Sequence, residues 1–262
     1  MDDDDNSHYH DHGAAVVTSS SLRDFIRSPK LYHDRYVAKT LPHRQSEAML
    51  FGGATHAAVL QREVFAGRYY ADPYNIRSPR SHRLAMENDG KIRLTQKSYD
   101  LCLALAHAAW EYPQAKASCS SGAIETPVQA TMRNGLVVKC KPDLINDGGI
   151  YDLKTLGKPM CFFRDHAFAL GYHIQAGFYT GVLIGARDPI RRDFTFWVVT
   201  KQPPFEVQFF TIPHEECLSI WQSICLPALN DLSNCLRTNA WLESTSSTIA
   251  IPAAQKKYHR KV

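Results

Sequence analysis

The chain has 262 residues, 44% hydrophobic and 21% charged, so it can bury a sizeable core and is not a mainly disordered chain. Its formal charge of +4, from 30 Lys and Arg against 26 Asp and Glu, is too small to predict a nucleic-acid partner by itself. No apolar run approaches the ~20 residues that span a bilayer, and the acidic start lacks the layout of a secretory signal. We therefore expect a soluble, cytoplasmic protein with no membrane partner.

The seven cysteines include no Cys-x-x-Cys pair, and their odd number argues against a disulfide framework. An iron–sulfur cluster would need a close group of cysteines near the end of the domain. Cys217, Cys225 and Cys235 are too widely spaced for such a group, so we expect no iron–sulfur cluster.

The two ends of the chain differ in composition from the part between them. Residues 1–17 are rich in aspartate and histidine and lack periodicity, which favours a disordered tail over an adventitious metal site. Residues 246–262 contain a basic group, interpreted as a solvated tail that could alternatively touch phosphates. Residues 18–245 contain no linker-like stretch and are predicted to form one domain.

The first half of this domain has the periodicity of helices. Serine and threonine before apolar-periodic runs mark helix N-termini, and proline is favoured at the first helical position. The predicted elements, in chain order, are a helix from Thr18 with a serine as N-cap, a break at Ser28-Pro29, a helix over 46–64, an irregular segment over 65–94, and a helix from Thr95 through Trp110.

The second half alternates between strands and helices. Asn134-Gly135 lies between two runs rich in strand formers, which is a strong hairpin signal. The predicted elements are strands over 123–132, 136–142 and 150–154, helices over 159–169 and 171–185, strands over 194–200 and 205–212, and a helix over 213–238. This order predicts an α/β or α+β domain with a mixed central sheet flanked by helices.

Two carboxylates and a lysine are predicted to converge in the strand region. Asp143 ends one predicted strand, Asp152 lies in the next, and a short glycine-containing turn joins the two strands. Because side chains alternate along a strand, Asp152 and Lys154 point to one face while Leu153 points into the core on the other.

This set of side chains is the one that phosphodiester hydrolysis requires. Carboxylates hold Mg²⁺ or Mn²⁺, the metal neutralises charge on the scissile phosphate, and a lysine orients or deprotonates the attacking water. One metal and two metals are both possible. The alternative is a turn aspartate and a surface ion pair, but ionic groups in an apolar strand are costly and usually functional. Asp147 is a weaker candidate ligand, because it lies in the turn-forming segment Asn146-Asp147-Gly148-Gly149.

Several segments, in order over roughly residues 18–200, resemble the phage-type exodeoxyribonuclease VIII (RecE-like) exonucleases, which belong to the RecB-like group of PD-(D/E)xK nucleases. The segments that carry this resemblance are Ser19–Tyr32, Gly52–Leu60, Glu125, Lys141–Asp143, Asp152–Thr155 and Gly171–Tyr179. The resemblance implies a restriction-endonuclease-like core.

The resemblance also implies roles for individual residues. The implied metal ligands are His56, Asp143, Asp152 and the backbone carbonyl of Leu153; the implied catalytic groups are Asp143, Asp152, Lys154, Glu125 and Gln175; and the implied DNA-binding residues include Gln175, Tyr179 and Tyr172. Gln175 and Tyr179, one turn apart, share a helix face. These residues also have ordinary structural interpretations. His56 could be a hydrogen-bonded core histidine, and Glu125 a strand residue that faces solvent. Tyr172 and Tyr179 could be core aromatics.

Basic residues offer two further DNA-binding candidates. Arg133, Lys139 and Lys141 alternate with apolar residues on the hairpin, giving either a face that follows a DNA backbone or a solvated sheet face. The segment over 65–94 combines basic and aromatic residues that could grip a strand end: Arg77, Arg80, His82 and Arg83 with Tyr69, Tyr70 and Tyr74.

The function implied by the resemblance is removal of nucleotides from the ends of double-stranded DNA, in the 5′ to 3′ direction, to produce single strands for recombination. A ring-shaped trimer or tetramer, a single-strand annealing protein as partner, and a phage or prophage gene in a bacterial cell are also implied. The alternatives are a nuclease of single strands or flaps and an inactive DNA-binding module. A nucleotide enzyme would need a phosphate loop, and no Gly-x-x-x-x-Gly-Lys segment occurs.

Overall fold

The computed structural model describes residues 16–42, 46–119 and 122–241, with only the backbone described over 116–118. The acidic tail predicted over 1–17 lies mostly outside the described residues, and the basic tail predicted over 246–262 lies wholly outside them. The last two residues of the first tail form strand β1 (Val16–Val17), in which Val17 is fully buried. A two-residue strand is too short to show periodicity, so ordered structure begins earlier than predicted.

The first helix begins where the sequence predicts, although a different residue caps it. α1 (Ser19–Arg27) is capped by Thr18 and not by a serine: the Thr18 side chain accepts a hydrogen bond from the backbone amide of Ser21. Ser28 caps α2 (Pro29–Tyr32), where the proline takes the first helical position. α2 continues into a π-helical turn (His33–Val37).

The segment over 65–94, which was predicted to be irregular, contains strands and helices. The elements of this region are α3 (Glu47–Leu60), α4 (Arg62–Arg68), β2 (Tyr69–Asp72), α5 (Pro79–Glu87), β3 (Ile92–Thr95), α6 (Gln96–Glu111) and α7 (Pro113–Cys119). β2 and β3 pair in parallel. Buried Asp72 accepts hydrogen bonds from Ser81 and Arg93. The prediction was wrong because these pairings join residues distant in sequence, which local periodicity does not reveal.

The strands of the second half form a mixed central sheet, as predicted. They are β4 (Ala123–Ile124), β5 (Val128–Thr131), β6 (Val137–Cys140), β7 (Leu144–Asn146), β8 (Gly149–Leu156), β9 (Phe194–Thr200) and β10 (Val207–Ile212). Within the described residues, the larger sheet has the order β10-β9-β8-β7-β4 and the smaller one the order β1-β6-β5. In the larger sheet β8 and β9 run parallel, and the other neighbours run antiparallel.

The hairpin predicted at Asn134-Gly135 is present and joins β5 to β6. The strand predicted over 123–132 is divided between the two sheets, because β4 pairs with β7 while β5 pairs with β6. Asp143 was expected to end a strand, and this prediction was wrong. β6 ends at Cys140, and Asp143 immediately precedes β7.

Helices pack on both faces of the larger sheet. The later ones are α8 (Phe163–Ala169), α9 (Tyr172–Gly185), α10 (His214–Ile220) and α11 (Leu226–Thr238), with a 3₁₀ turn (Met160–Phe162) before α8 and a π-helical turn (Trp221–Cys225) after α10. Among residues 16–42, 46–119 and 122–241, no helix is both long and apolar enough to cross a membrane.

The alternation of side chains on β8 and β9 divides the core into two apolar clusters. Phe196 on β9 packs in the cluster that includes residues of α9, whereas Leu153 and Trp197 pack in the cluster that includes residues of α3 and α6. Asp152 pairs with Phe196 across the parallel strands, so Asp152 and Lys154 face α9 while Leu153 faces α3. The predicted orientation of these three side chains is therefore present.

Helix α9 lies unusually close to the helix that follows the sheet. A Cβ atom added at Gly177 would lie 2.6 Å from Ile220, and one added at Gly181 would lie 2.0 Å from the Trp221 ring. The absence of side chains at both glycines lets α9 approach α10 and the π-helical turn that follows it.

Candidate active site

Two buried carboxylates lie where β7 begins beside β8. Asp143 immediately precedes β7, and its Oδ2 accepts a 2.6 Å hydrogen bond from the backbone amide of Leu153. Asp152 lies next to Leu153 on β8, and the two aspartates are 8% and 2% exposed. The register pairs Leu144 with Tyr151, so the strands themselves bring the two aspartates together.

Asp152 is held between a lysine and the helix on the same face of the sheet. Lys154 Nζ forms an ion pair with Asp152 Oδ2, and Gln175 Nε2 donates a 2.7 Å hydrogen bond to Asp152 Oδ1. The Lys154 ammonium also lies 4.7 Å from the centre of the Tyr172 ring, a favourable cation–π distance. Each oxygen of this buried carboxylate therefore faces a cation or a hydrogen-bond donor.

Asp143 is contacted from helix α3 and from the segment after β4. His56 Nδ1 lies 3.2 Å from Asp143 Oδ1, and the backbone amide of Glu125 donates a 3.1 Å hydrogen bond to the Asp143 carbonyl. One ligand atom from each of His56, Glu125 and Asp143 lies within 4.8 Å of the other two. Residues from three distant parts of the chain thus meet at one point.

The proximity of these groups shifts their pKa values. Burial raises the pKa of Asp152, and the Lys154 ammonium offsets only part of that rise. Burial alone would raise the pKa of Asp143, but His56 and Lys154 more than offset it and the net pKa is lowered. Burial alone would lower the pKa of His56, but Asp143 raises it to about 9. Burial and Asp143 together raise the pKa of Glu125. The negative charges of the three carboxylates are thus partly balanced by Lys154 and by protonated His56.

The donor set fits a divalent metal ion. Imidazole and carboxylate groups bind Mn²⁺ and related ions, and carboxylates with backbone carbonyls suit Mg²⁺. The amide of Leu153 points toward Asp143, and the amide and carbonyl of one strand residue point to the same side, so the Leu153 carbonyl also faces this cluster. His56, Asp143, Asp152 and the Leu153 carbonyl would hold the ion.

Comparison with known proteins agrees with this architecture. The sequence matches the model of a PDDEXK-like domain of unknown function (DUF3799) over residues 18–246. The chain belongs to this family. The PDDEXK-like part of the resemblance is thereby confirmed, while exodeoxyribonuclease VIII-like specificity stays a prediction.

A solved structure has the same fold as this DUF3799 domain. It is the crystal structure of a protein from Eubacterium rectale described as a candidate exonuclease, and it superposes with a TM-score of 0.63 at 14% identity, covering 94% of this chain and 97% of that chain. At this identity the likeness shows the fold alone. No curated protein matches the sequence significantly.

Lys141 belongs to the centre of the DUF3799 domain and not to an exposed basic face. Its Nζ lies 2.9 Å from Glu125 Oε2, and its side chain is 13% exposed. The Tyr179 hydroxyl donates a 3.3 Å hydrogen bond to the Lys141 carbonyl, which links the helix face shared by Gln175 and Tyr179 to the same loop. The Glu125–Lys141 pair was not foreseen from the sequence, where the only signal was that Lys141 lies two residues before Asp143.

The basic face predicted on the hairpin is therefore not continuous. Lys139 lies on β6 and is half-buried, whereas Arg133 is exposed in the turn between β5 and β6. Lys141 lies beyond the end of β6, where strand alternation no longer applies. Of these three residues, Arg133 alone stays a candidate for contact with a DNA backbone through an exposed side chain.

The basic and aromatic residues over 65–94 are divided by the fold. Tyr69 and Tyr70 on β2 are 6% and 8% exposed, so neither ring is available to stack on a base. Tyr74 is 40% exposed, and the Arg80 guanidinium lies 5.8 Å from the centre of its ring. The remaining residues of the group, Arg77, His82 and Arg83, are also exposed.

Asp147 lies in the turn between β7 and β8, in keeping with its weaker candidacy as a ligand. Its side chain is 94% exposed. Asn146 Oδ1 accepts hydrogen bonds from the amides of Gly148 and Gly149, a typical turn arrangement. Asp147 is not part of the cluster formed by His56, Glu125 and Asp143.

Proposed function

We propose that this DUF3799 domain is a metal-dependent deoxyribonuclease that hydrolyses phosphodiester bonds at the ends of double-stranded DNA. The observation that carries the proposal is the convergence of His56, Asp143, Asp152 and Lys154 beside the paired strands β7 and β8 of a PDDEXK-like sheet. Burying ionic groups is costly unless they are paired, and clusters of such groups are common at functional sites. This set has the chemistry of phosphodiester hydrolysis.

The protein's contribution begins with holding the ion and the phosphate. His56, Asp143, Asp152 and the carbonyl of Leu153 would bind Mg²⁺ or Mn²⁺. When bound, the ion would supply positive charge at the scissile phosphate and make water more acidic. Glu125 lies close enough to Asp143 to act as a further acidic group at the site.

Lys154 and Gln175 organise the hydrolytic step. The Lys154 ammonium, held by Asp152 and by the face of Tyr172, orients the attacking water and neutralises a phosphate oxygen. The water oxygen forms a bond to phosphorus as the bond to the 3′ oxygen breaks. The attacking water releases its proton to solvent, and the departing 3′ oxygen takes up a proton from solvent to become a hydroxyl. Gln175 keeps Asp152 in place through its 2.7 Å hydrogen bond, while Tyr172 and Tyr179 line the same face of α9.

The finer parts of the proposal rest on the resemblance to exodeoxyribonuclease VIII-like enzymes. They are 5′ to 3′ polarity, production of single strands for recombination, a ring-shaped trimer or tetramer that encloses DNA, and a single-strand annealing protein as partner. Mg²⁺ as the working ion and a phage or prophage origin also belong here. Light scattering on the purified chain, with and without DNA, tests the oligomeric state.

The activity test uses linear and covalently closed circular double-stranded DNA, labelled at the 5′ or the 3′ ends, with Mg²⁺ or EDTA. Wild type is compared with Lys154→Ala and with a matched control, Lys158→Ala, which removes an exposed lysine just beyond β8. We expect wild type and Lys158→Ala to degrade linear DNA only, and only with metal, while folded Lys154→Ala is inactive.

Other results would lead to other conclusions. Cleavage of circles, or preference for single strands and flaps, would replace the proposed substrate. Full activity of Lys154→Ala would show that the site is wrongly assigned. If the wild type binds DNA but does not cleave it with any metal, the protein is an inactive DNA-binding module.

A further inference from the structure

A lysine lies inside the proposed metal centre and takes no part in the hydrolytic step proposed above. Lys141 and Glu125 form an ion pair of 2.9 Å between side chains that are 13% and 20% exposed. Glu125 in turn lies within 4.8 Å of ligand atoms of His56 and Asp143. Glu125 is therefore neutralised by an ammonium group of the protein itself.

The backbone holds both members of this pair in place. Glu125 has a φ of 51°, a left-handed conformation that residues with side chains rarely adopt and that persists where the surroundings fix it. Its amide is fixed by the Asp143 carbonyl, and the Lys141 carbonyl accepts a hydrogen bond from the Tyr179 hydroxyl. The pair is thus built into the centre and is not a loose surface contact.

The formal charges around the centre limit how many metal ions it can hold. Among the described residues at the site, three carboxylates (Glu125, Asp143 and Asp152) face two ammonium groups (Lys141 and Lys154), and a ligating imidazole is neutral. The sum is a single negative charge. One divalent ion makes it a single positive charge, which one phosphodiester anion balances.

A second divalent ion would be poorly accommodated. It would leave an excess of positive charge even after a phosphodiester binds. The acidic group left to receive it would be Glu125, whose Oε2 oxygen faces Lys141. The first ion also shares a carboxylate with an ammonium group, at Asp152 and Lys154, but once that ion is bound no net negative charge is left to attract a second one. Two-metal sites place their ions roughly 3.5–4 Å apart, so a second ion and the ammonium would compete for the same carboxylate.

We propose that Lys141 takes the place of a second metal ion, so that this centre binds a single divalent cation and keeps Glu125 out of its coordination sphere. The inference rests on the proposed function, because it assumes a divalent ion at His56, Asp143 and Asp152. Lys141 is a positioning residue in this scheme: it fixes the number of ions through Glu125.

The test is to count Mn²⁺ ions on the full chain without DNA, by calorimetric titration and electron paramagnetic resonance. Histidines 8, 10 and 12 near the N-terminus can bind Mn²⁺ themselves, so the ions at the centre are counted as the difference between wild type and Asp143→Asn. We expect a difference of one ion. Lys141→Met should bind one more ion than wild type, with loss of resonance signal from magnetically coupled Mn²⁺ pairs. Lys141→Arg, which keeps the positive charge, should bind the same number as wild type.

Several results would overturn the inference. These are two ions at the centre of wild type, no additional ion in a Lys141→Met or Lys141→Gln variant that keeps the wild-type circular dichroism, or an additional ion in Lys141→Arg. If the methionine variant fails to fold, Lys141→Gln takes its place in the test, and two ions in the wild type overturn the inference without any variant. Two ions in a wild type that still hydrolyses DNA would remove this inference alone. No ion at the centre together with no hydrolysis would remove the proposed function as well.

Discussion

Gln175 Nε2 donates a 2.7 Å hydrogen bond to Asp152 Oδ1, and this contact joins helix α9 to the carboxylate that also pairs with Lys154. Gln175 is 6% exposed and lies among apolar residues of α9, where an amide side chain is unfavourable unless it is hydrogen-bonded. The position of Asp152 therefore depends on the packing of α9 as well as on its own strand.

Replacement of Gln175 by alanine should weaken both folding and activity. The change removes a donor from a buried carboxylate, which costs about 1–3 kcal/mol of stability. Loss of a residue that orients a metal ligand typically lowers metal affinity or activity by about 10–100-fold. Urea unfolding and kcat/KM on linear DNA, each measured beside Gln202→Ala at an exposed position, check both effects. Equal rates for the two variants would show that Gln175 does not orient Asp152.

The sequence predicted well those elements whose signals are local. Strand β9 and helix α9 were each predicted within a residue or two of their bounds, and the turn of the hairpin was predicted correctly at Asn134-Gly135. The segment over 65–94 was not, because β2 and β3 are short and exist through pairing with each other. Buried Asp72, which links β2 to Ser81 and Arg93, has no local pattern that could reveal it.

The candidate site shows the same division. Strand alternation was enough to place Asp152 and Lys154 on one face and Leu153 on the other, and the structure has this arrangement. The approach of His56 depends on packing between α3 and the sheet, so only the family resemblance indicated it. The Glu125–Lys141 pair depends on the backbone conformation of Glu125, which neither periodicity nor the resemblance reveals.

Divalent metal should raise the melting temperature of the wild type. A ligand present at 100 times its Kd stabilises the folded state by about 2.7 kcal/mol, and each kcal/mol shifts Tm by about 2–4 °C in a chain of this size class. His56→Ala should lose most of this shift, because His56 faces the cluster at 3.2 Å from Asp143.

The measurement is differential scanning calorimetry with Mg²⁺ or Mn²⁺ and with EDTA. The metal-induced shift is compared, not the absolute Tm, because His56→Ala also removes an ion pair in the metal-free protein. His107→Ala, at a side chain 78% exposed, should keep the full shift. An unchanged shift in His56→Ala would exclude His56 as a ligand.

Two glycines in helix interiors should respond to alanine in opposite directions. A Cβ at Gly181 would lie 2.0 Å from the Trp221 ring, while a Cβ at Gly52 meets nothing within 4 Å. Alanine favours a helix over glycine by about 1 kcal/mol, but overpacking a core costs about 1–3 kcal/mol. Gly52→Ala should therefore raise the urea midpoint and Gly181→Ala should lower it. The same sign for both variants would contradict the close packing of α9 on the π-helical turn.

Acid should destabilise the protein in part through Asp72. A hydrogen bond from Arg93, and then one from Ser81, lower the pKa of Asp72 to about 2 from an ordinary value of 3.8. Because the folded-state pKa is the lower one, the stabilisation is present above about pH 4 and is lost as the pH falls toward 2. Replacing Asp72 by asparagine removes this pH-dependent contribution along with the charge.

Urea unfolding between pH 7 and pH 2 provides the measurement for Asp72. Asp72→Asn should be less stable than wild type at pH 7, and the difference should shrink as the pH falls below about 4, because the wild-type carboxylate then takes up a proton. Asp165→Asn, at an exposed position on α8, is the control and should follow the wild-type curve throughout. A constant difference between Asp72→Asn and wild type across this range would mean that Asp72 acts through packing on β2 and not through its charge. The β2–β3 pair would then owe its stability to the apolar contacts around it, and the ion pair with Arg93 would contribute little.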